Sequence, residues 1–130
     1  MKLIQTQGKR KSAVARATLS PGNGRVTIND QLLDSYANEV LRLRICEPLI
    51  LAGEVAKTIN IAVKVMGGGV NGQADASRLA VARALVEHDK KLKKVFYDYD
   101  RLLLVADVRR KEACKPNDSK ARAKRQKSYR

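Results

Sequence analysis

The residues of this sequence best suited to chemistry are the cations of its C-terminal segment. Residues 109–130 contain ten Lys or Arg against two acidic residues, and no Leu, Ile, Val, Met or Phe. The segment therefore carries a large share of the chain's net charge of +14. It has too little apolar surface to offset the roughly 1 to 2 kcal/mol of backbone entropy that each ordered residue loses, and its like charges repel. We expect a tail that is ordered by binding a polyanion.

A second candidate is a glycine motif. Gly67, Gly69 and Gly72 fit G-x-G-x-x-G between a predicted strand and a predicted helix, which is the context of a dinucleotide fold. That fold also needs an acidic residue about 20 positions on and further βαβ units. Neither is present, since Asp107 comes much later and only the tail follows it. We interpret the glycines instead as letting backbone amides approach a phosphate closely, including a phosphate of RNA.

Enzymatic and metal chemistry have little support. His88 is the single histidine, and it stands next to Asp89 at a lysine-rich helix end, so we expect a surface residue and no catalytic residue. Bound nucleotide in the purified protein would argue for an enzyme instead. Cys46 and Cys114 have no second Cys or His at ligand spacing, and we predict two reduced thiols, no metal and no cofactor.

Length and composition limit the architecture and the partner. The 130 residues suit one globular domain, for which we predict 1–108, followed by the tail at 109–130. The strongly apolar runs span about five residues, whereas a membrane helix needs about 20. The N-terminus lacks the apolar segment of a secretory signal, so we predict a cytoplasmic protein. The net charge then points to nucleic acid as the anionic partner rather than to a membrane.

Hydrophobic periodicity predicts the elements that position these residues. Strands at 12–19 and 25–29 flank the turn-forming loop 20–24, which favours a β-hairpin with Arg16 exposed and the alternating alanines buried. Strand 57–66 alternates Ile and Val with other residues, and 73–88 has helical spacing. The other predicted elements are a helical turn at 32–36, a helix at 39–45 capped by Asn38, a helix at 48–53 and a strand at 101–106.

Three separated segments of the sequence resemble one family. Residues 67–85 read GGGVNGQADASRLAVARAL, residues 8–29 read GKRKSAVARATLSPGNGRVTIN, and residues 120–130 read KARAKRQKSYR. In this order and spacing they resemble the universal ninth ribosomal protein of the small subunit, with a tail similar to the archaeal and eukaryotic form.

This resemblance implies a fold and a set of binding partners in the ribosome. The implied fold is α+β, a two-layer sandwich whose four-stranded, mostly antiparallel sheet is covered by helices. It includes a left-handed βαβ crossover, similar to the second domain of the fifth small-subunit protein, and an extended basic tail. The implied partners are the 3′ major domain of 16S-type rRNA in the subunit head, neighbouring head proteins and the anticodon stem-loop of peptidyl-site tRNA. No membrane partner and no small-molecule substrate are implied.

The residues expected to contact tRNA follow from matching positions, whereas those expected to contact rRNA are chosen for their positive charge or as glycines that let the backbone approach a phosphate. The resemblance implies that the terminal Arg130 contacts the tRNA, with Lys127, Ser128 and Tyr129 close behind it. Arginine suits this role because its planar fork holds a phosphate in two places. The predicted rRNA-binding residues are Lys9, Arg10, Lys11, Arg16, Gly67, Gly68, Gly69, Arg78, Arg109, Arg110, Lys111, Lys115, Lys120, Arg122, Lys124 and Arg125. A free RNA-binding module or RNA chaperone is the closest alternative, and sedimentation with the small subunit through a high-salt wash would separate the two.

Overall fold

The fold is given by a computed structural model that describes residues 2–117 and 119–124. Two short 3-10 turns, Leu33–Ser35 and Arg101–Leu103, join its helices and strands. Within the described residues the strands are Ile4–Arg10 (β1), Ala13–Pro21 (β2), Val26–Ile28 (β3), Gln31–Leu32 (β4) and Ile59–Met66 (β5). The helices are Glu39–Ala52 (α1), Glu54–Lys57 (α2), Val70–His88 (α3) and Leu92–Tyr99 (α4).

The strands form one mixed sheet in the order β1-β2-β5-β3-β4. Three of the four neighbouring pairs are antiparallel, and β3 with β5 is parallel. A parallel pair needs a crossover connection, and α1 and α2 supply it. The α+β class and the mostly antiparallel sheet are therefore confirmed, whereas the described residues form five strands instead of the predicted four. The left-handed sense of the crossover and the likeness to the second domain of the fifth small-subunit protein stay predictions.

The core lies between one face of the sheet and α3. The alternating residues Ala13, Ala15, Ala17 and Leu19 of β2 are fully buried, and so are the inward residues of β5, as the period-2 pattern predicts. Small residues on α3 let it lie close to the sheet, and nine of its residues are buried. β1 lies directly against α3 at Gly8, where an added Cβ would lie 2.1 Å from a backbone oxygen of the helix.

The predicted hairpin between 12–19 and 25–29 is wrong. β2 pairs with β1 on one side and with β5 on the other, so β5 separates β2 from β3. The loop that follows β2 crosses the end of β5 instead of reversing tightly. Gly22 and Gly24 donate to backbone oxygens of Thr58 and Ile59, and the side chain of Asn60 accepts from two more loop amides. β1 was not predicted, because its inward positions hold Thr6, Gly8 and Arg10 rather than an apolar alternation.

Two other predictions differ from the structure. The helices predicted at 39–45 and 48–53 are one helix, α1, with Pro48 inside it, while Asn38 caps it as expected through a 3.0 Å hydrogen bond from the Leu41 amide. The strand predicted at 101–106 is the short 3-10 turn, which begins where Asp100 accepts a hydrogen bond from the Leu102 amide. Leu103 is buried there against the helices. The apolar run was therefore mistaken for a buried strand, because burial against helices selects the same residue types. Helix α4, which precedes this turn, was not predicted.

Candidate nucleic-acid interface

Five cations meet in a groove at one end of the sheet. The groove lies between the β1–β2 turn and the first residues of the tail, and its volume is about 630 Å³. We call it the basic groove. It is lined by Lys9, Lys11, Ser12, Arg109, Arg110 and Lys111. No carboxylate is among these lining residues, so the potential inside the groove is positive and suits an anion with several phosphates. Five predicted rRNA-binding residues thus come together here.

The β1–β2 turn, which carries Lys11, packs against glycines of the loop between β5 and α3. Lys11 has a φ of 52°, in the left-handed region that costs a residue with a side chain about 1 to 2 kcal/mol. The loop between β5 and α3 passes directly beneath. A Cβ on Gly67 would lie 2.5 Å from the Ser12 carbonyl oxygen, and a Cβ on Gly68 would lie 3.0 Å from the Ala13 amide. The glycines therefore fix the position of the turn, and their contact with an RNA phosphate stays a prediction.

Asp107 fixes the start of the tail beside this turn. Its carboxylate accepts from the Arg109 backbone amide at 2.9 Å and from the Arg109 guanidinium at 2.7 Å. It also lies 3.4 Å from the guanidinium of Arg10 on β1. Hydrogen bonds from Arg109, with the charge of Arg10 behind them, hold the pKa of Asp107 far below its usual value. Asp107 is therefore ionised at cellular pH, and it ties the tail to the sheet.

The other side of Arg10 is tied to the helices. Asp75 of α3 lies 3.7 Å from Arg10 and 3.0 Å from Arg44 of α1. The side chain of Arg10 is only 16% exposed, and its Nη1 atom is buried with no hydrogen-bond partner in the described part of the chain. The structure thus places Arg10 beneath the basic groove, where it positions the tail. A direct contact of Arg10 with rRNA stays a prediction.

Arg78 of α3 is predicted to bind rRNA, but it occupies an internal site between the helices. Its Nε donates to Glu47 of α1 at 2.7 Å and its Nη2 donates to Asp100 at 2.9 Å. Only 13% of the Arg78 side chain is exposed. Arg83 of the same helix donates to the backbone oxygens of Leu104 and Gln7. Both arginines clamp separate elements together, and the predicted rRNA contact of Arg78 remains a prediction.

The described part of the tail folds back on itself. Arg122 makes a bidentate ion pair with Glu112, with N to O distances of 2.6 and 2.9 Å. Lys115 donates through Nζ to the Ala123 oxygen at 2.7 Å. Lys120 and Lys124 are exposed. Among the predicted site residues, Arg125, Lys127, Ser128, Tyr129 and Arg130 lie outside the described residues.

Sequence reasoning missed three residues that shape the cationic surfaces of the protein: two acidic anchors and one lysine. Asp75 and Asp107 were not singled out as anchors, although an aspartate placed directly before a basic tail is a detectable signal. Lys64 was also missed, because only strand pairing places it opposite Arg16. Both of these cations are exposed on the outward face of the sheet.

The glycine motif does not form a dinucleotide site. α3 begins at Val70, so Gly72 lies inside the helix instead of before it. β5 is the last strand within the described residues, so the βαβ units that a dinucleotide fold needs do not follow. In residues 2–117 and 119–124 there is also no cluster of three or more His, Cys, Asp or Glu able to hold a metal ion. No helix described there is long and apolar enough to cross a bilayer.

A small α+β domain that presents a carboxylate-free cationic groove and a basic tail is typical of proteins that bind a nucleic-acid backbone. Comparison with known sequences identifies the family to which the chain belongs. The chain belongs to the ribosomal protein S9/S16 family, whose sequence model matches residues 8–130. This confirms the resemblance carried by the three sequence motifs. The family is ribosomal and not enzymatic, so the prediction that the chain is not an enzyme is confirmed as well.

Archaeal relatives are similar over the whole chain. The small ribosomal subunit protein uS9 of Thermoplasma acidophilum is 55% identical over 127 residues, which cover 96% of this chain and 98% of the relative. The proteins of the same name from Thermoplasma volcanium and Methanococcus vannielii are 53% and 46% identical, and each alignment covers all of both chains. The chain is therefore a structural protein of the small ribosomal subunit, of archaeal type, and a free RNA chaperone is not supported.

Proposed function

We propose that the chain binds the 3′ major domain of small-subunit rRNA through the basic groove, and that its tail continues to the anticodon stem-loop of peptidyl-site tRNA. The observation that supports the rRNA part is the meeting of two segments about 100 residues apart to form one groove with five cations and no carboxylate. A structural role in the subunit alone does not require such a concentration of like charge.

The unfavourable free energy of bringing the groove together also supports RNA binding. Arg109 is paired with Asp107, but the other four cations around the groove have no ion pair among the described residues and repel each other. Lys11 adds a strained backbone conformation. Such strain persists only where the surrounding structure imposes it, and it occurs often at functional sites. An RNA backbone relieves the repulsion, because each phosphate it brings neutralises a cation and releases counterions.

Salt dependence tests the groove. If the protein neutralises 6 to 10 phosphates, affinity for a transcript of the 3′ major domain should fall by about three to five decades between 50 and 200 mM salt. The double variant Arg110→Gln with Lys111→Gln should bind about 25- to 60-fold more weakly at 0.1 M salt, because each phosphate contact contributes a salt slope of about 0.7 to 0.9. Fluorescence anisotropy with the labelled transcript measures both quantities.

A matched control is available on α4. Lys93→Gln with Lys94→Gln removes the same charge from exposed positions of a helix that packs on the other helices, away from the groove. We expect this variant to retain most of the affinity. Equal losses in the two double variants would show that binding follows net charge alone, and an affinity that is flat across the salt range would refute the electrostatic account.

The tRNA part of the proposal rests on the family resemblance of the last four residues. Deletion of Arg130 should leave assembly of the small subunit intact, since one terminal residue is a small part of the rRNA contact. It should weaken the binding of peptidyl-site tRNA to the subunit. Reconstituted subunits carrying the deletion can be compared with wild-type subunits by sedimentation and by tRNA filter binding. Loss of assembly on this deletion would show that the residue acts in rRNA binding instead.

A further inference from the structure

The helices cover only one face of the sheet. α3 packs against β1, β2 and β5 from the side on which their buried residues lie. The opposite face, which we call the open face, is a shallow basin of about 1020 Å³ lined mainly by strand residues. No residue of α1–α4 lines it, and no tail residue within 109–117 and 119–124 does so.

Two cations lie side by side in the middle of the open face. Arg16 of β2 and Lys64 of β5 are directly opposite in the strand register, and Gln7 of β1 is opposite Arg16 on the other side. Like charges directly opposite each other destabilise a sheet. Neither cation has an ion pair or a side-chain hydrogen bond to any residue within 2–117 and 119–124. None of the strands β1, β2, β3 and β5 contains an acidic residue.

The neighbours of this pair suit a sugar-phosphate chain. Gln5 and Thr18 form the next row across β1 and β2, and they offer amide and hydroxyl groups that can bind a ribose 2′-hydroxyl. On the other side of the pair, Val14 and Met66 form a row, and Met66 is 65% exposed. An exposed apolar side chain beside cations can pack on a sugar or on an unstacked base.

The open face is continuous with the basic groove. Ser12 lines both surfaces, and Lys9, which lines the groove, pairs in register with Val14 of the open face. A single anionic chain that leaves the groove therefore meets the open face next. The positive charge, the lack of carboxylates and this continuity favour RNA as the occupant over a protein, whose surface carries both signs of charge.

We propose that the open face is a second RNA-backbone site, in which Arg16 and Lys64 bind neighbouring phosphates of an rRNA strand that continues from the basic groove. This inference rests on the proposed rRNA binding and extends it to a surface and to Lys64. The phosphates offset the repulsion between the two cations, and the rows on either side bind the sugars.

The double variant Arg16→Gln with Lys64→Gln tests the site in the full-length chain. Both side chains are exposed, so the variant should fold, and its Tm should be equal to or above that of the wild type because a repulsive pair is removed. Affinity for the 3′ major domain transcript should fall about 25- to 60-fold at 0.1 M salt, and the slope of log K against log salt should decrease by about 1.4 to 1.8. Lys93→Gln with Lys94→Gln is the matched control.

The same assay separates this inference from the proposed function. If the open-face variant binds like the α4 control while the groove variant is weakened, the open face is not an RNA site and the groove proposal stands. If neither variant differs from the control, both proposals fail.

Acylation of Lys64, followed by mass spectrometry, identifies the occupant. We compare free protein, the binary complex with the transcript and assembled subunits. RNA binding predicts that Lys64 is already protected in the binary complex. Protection that appears only in the assembled subunit would assign the open face to a neighbouring protein and overturn the inference.

Discussion

Replacing Gly8 by Ala should separate β1 from α3. The added methyl carbon would lie 2.1 Å from the Ala76 carbonyl oxygen and 2.7 Å from the Ala80 amide nitrogen. Ordinary contacts are about 3.5 to 4 Å, and both opposing atoms belong to the helix backbone, which cannot rotate away as a side chain can. The strand must therefore move outward by more than about 1 Å.

The expected loss of stability is large. Overpacking costs about 1 to 3 kcal/mol, and the contact with rigid backbone puts Gly8→Ala at the upper end of that range. The outward movement also weakens the 2.8 Å hydrogen bond from the Thr6 hydroxyl to the Ala80 oxygen, which adds about 1 kcal/mol. We expect the free energy of unfolding to fall by about 4 kcal/mol, and Tm to fall by about 10 to 20 °C.

Urea denaturation of the variant beside a second glycine variant measures this effect. Gly72 lies inside α3, and a methyl group there would be 3.6 Å from its nearest neighbours, which is an ordinary contact. Gly72→Ala should therefore keep or raise stability, since Ala is favoured over Gly in a helix by about 0.5 to 1 kcal/mol. A Gly8→Ala variant within about 1 kcal/mol of the wild type would refute the close packing of β1 on α3.

Three further substitutions test the roles of individual charged residues. Partial burial raises the pKa of the Asp100 carboxyl, but the Leu102 amide and the Arg78 guanidinium outweigh it and hold the pKa below its usual value. A depressed carboxyl pKa stabilises the fold fully above the unfolded value of about 3.9, and this contribution is lost as the pH falls through the lower pKa of the folded state. Asp100→Asn should therefore cost about 0.5 to 1 kcal/mol at pH 7, and urea titrations should show the difference shrinking as the pH falls below about 3.9. Asp107→Asn should speed amide hydrogen exchange at 109–111, since it removes the ion pairs that hold the tail; unchanged exchange would mean that other contacts anchor it. Lys11→Gly should keep or raise Tm because a positive φ suits glycine, yet weaken rRNA binding about 5- to 8-fold at 0.1 M salt; weakened binding with a lowered Tm would instead indicate a damaged turn.

Local patterns in the sequence determined much of the fold. The alternation in β2 and β5 identified the buried face of each strand, because one side of a strand faces the core. The helical spacing of α3 and the absence of Leu, Ile, Val, Met and Phe from the tail were equally readable. Three motifs in order identified the family.

Pairing between distant segments was not readable in the same way. The loop after β2 has the composition of a tight turn, yet its amides bind the end of β5, and only the three-dimensional path shows this. β1 faces α3 through Gly8 and two polar residues, so it lacks the apolar alternation that marks a buried strand. The interruption expected at Pro48 is absent because α1 is held by packing against α3.

The candidate nucleic-acid interface was also predictable only in part from the sequence. The sequence determined that the cations of the tail and of the N-terminal segment suit RNA, because charge and residue type are local properties. Only the tertiary structure decided which of them share a surface. It brought Lys11 and Arg110 to one groove, set Lys64 opposite Arg16, and enclosed Arg78 between Glu47 and Asp100. The physical reason is that these neighbours are set by the packing of elements far apart in the chain, and no local pattern records that packing.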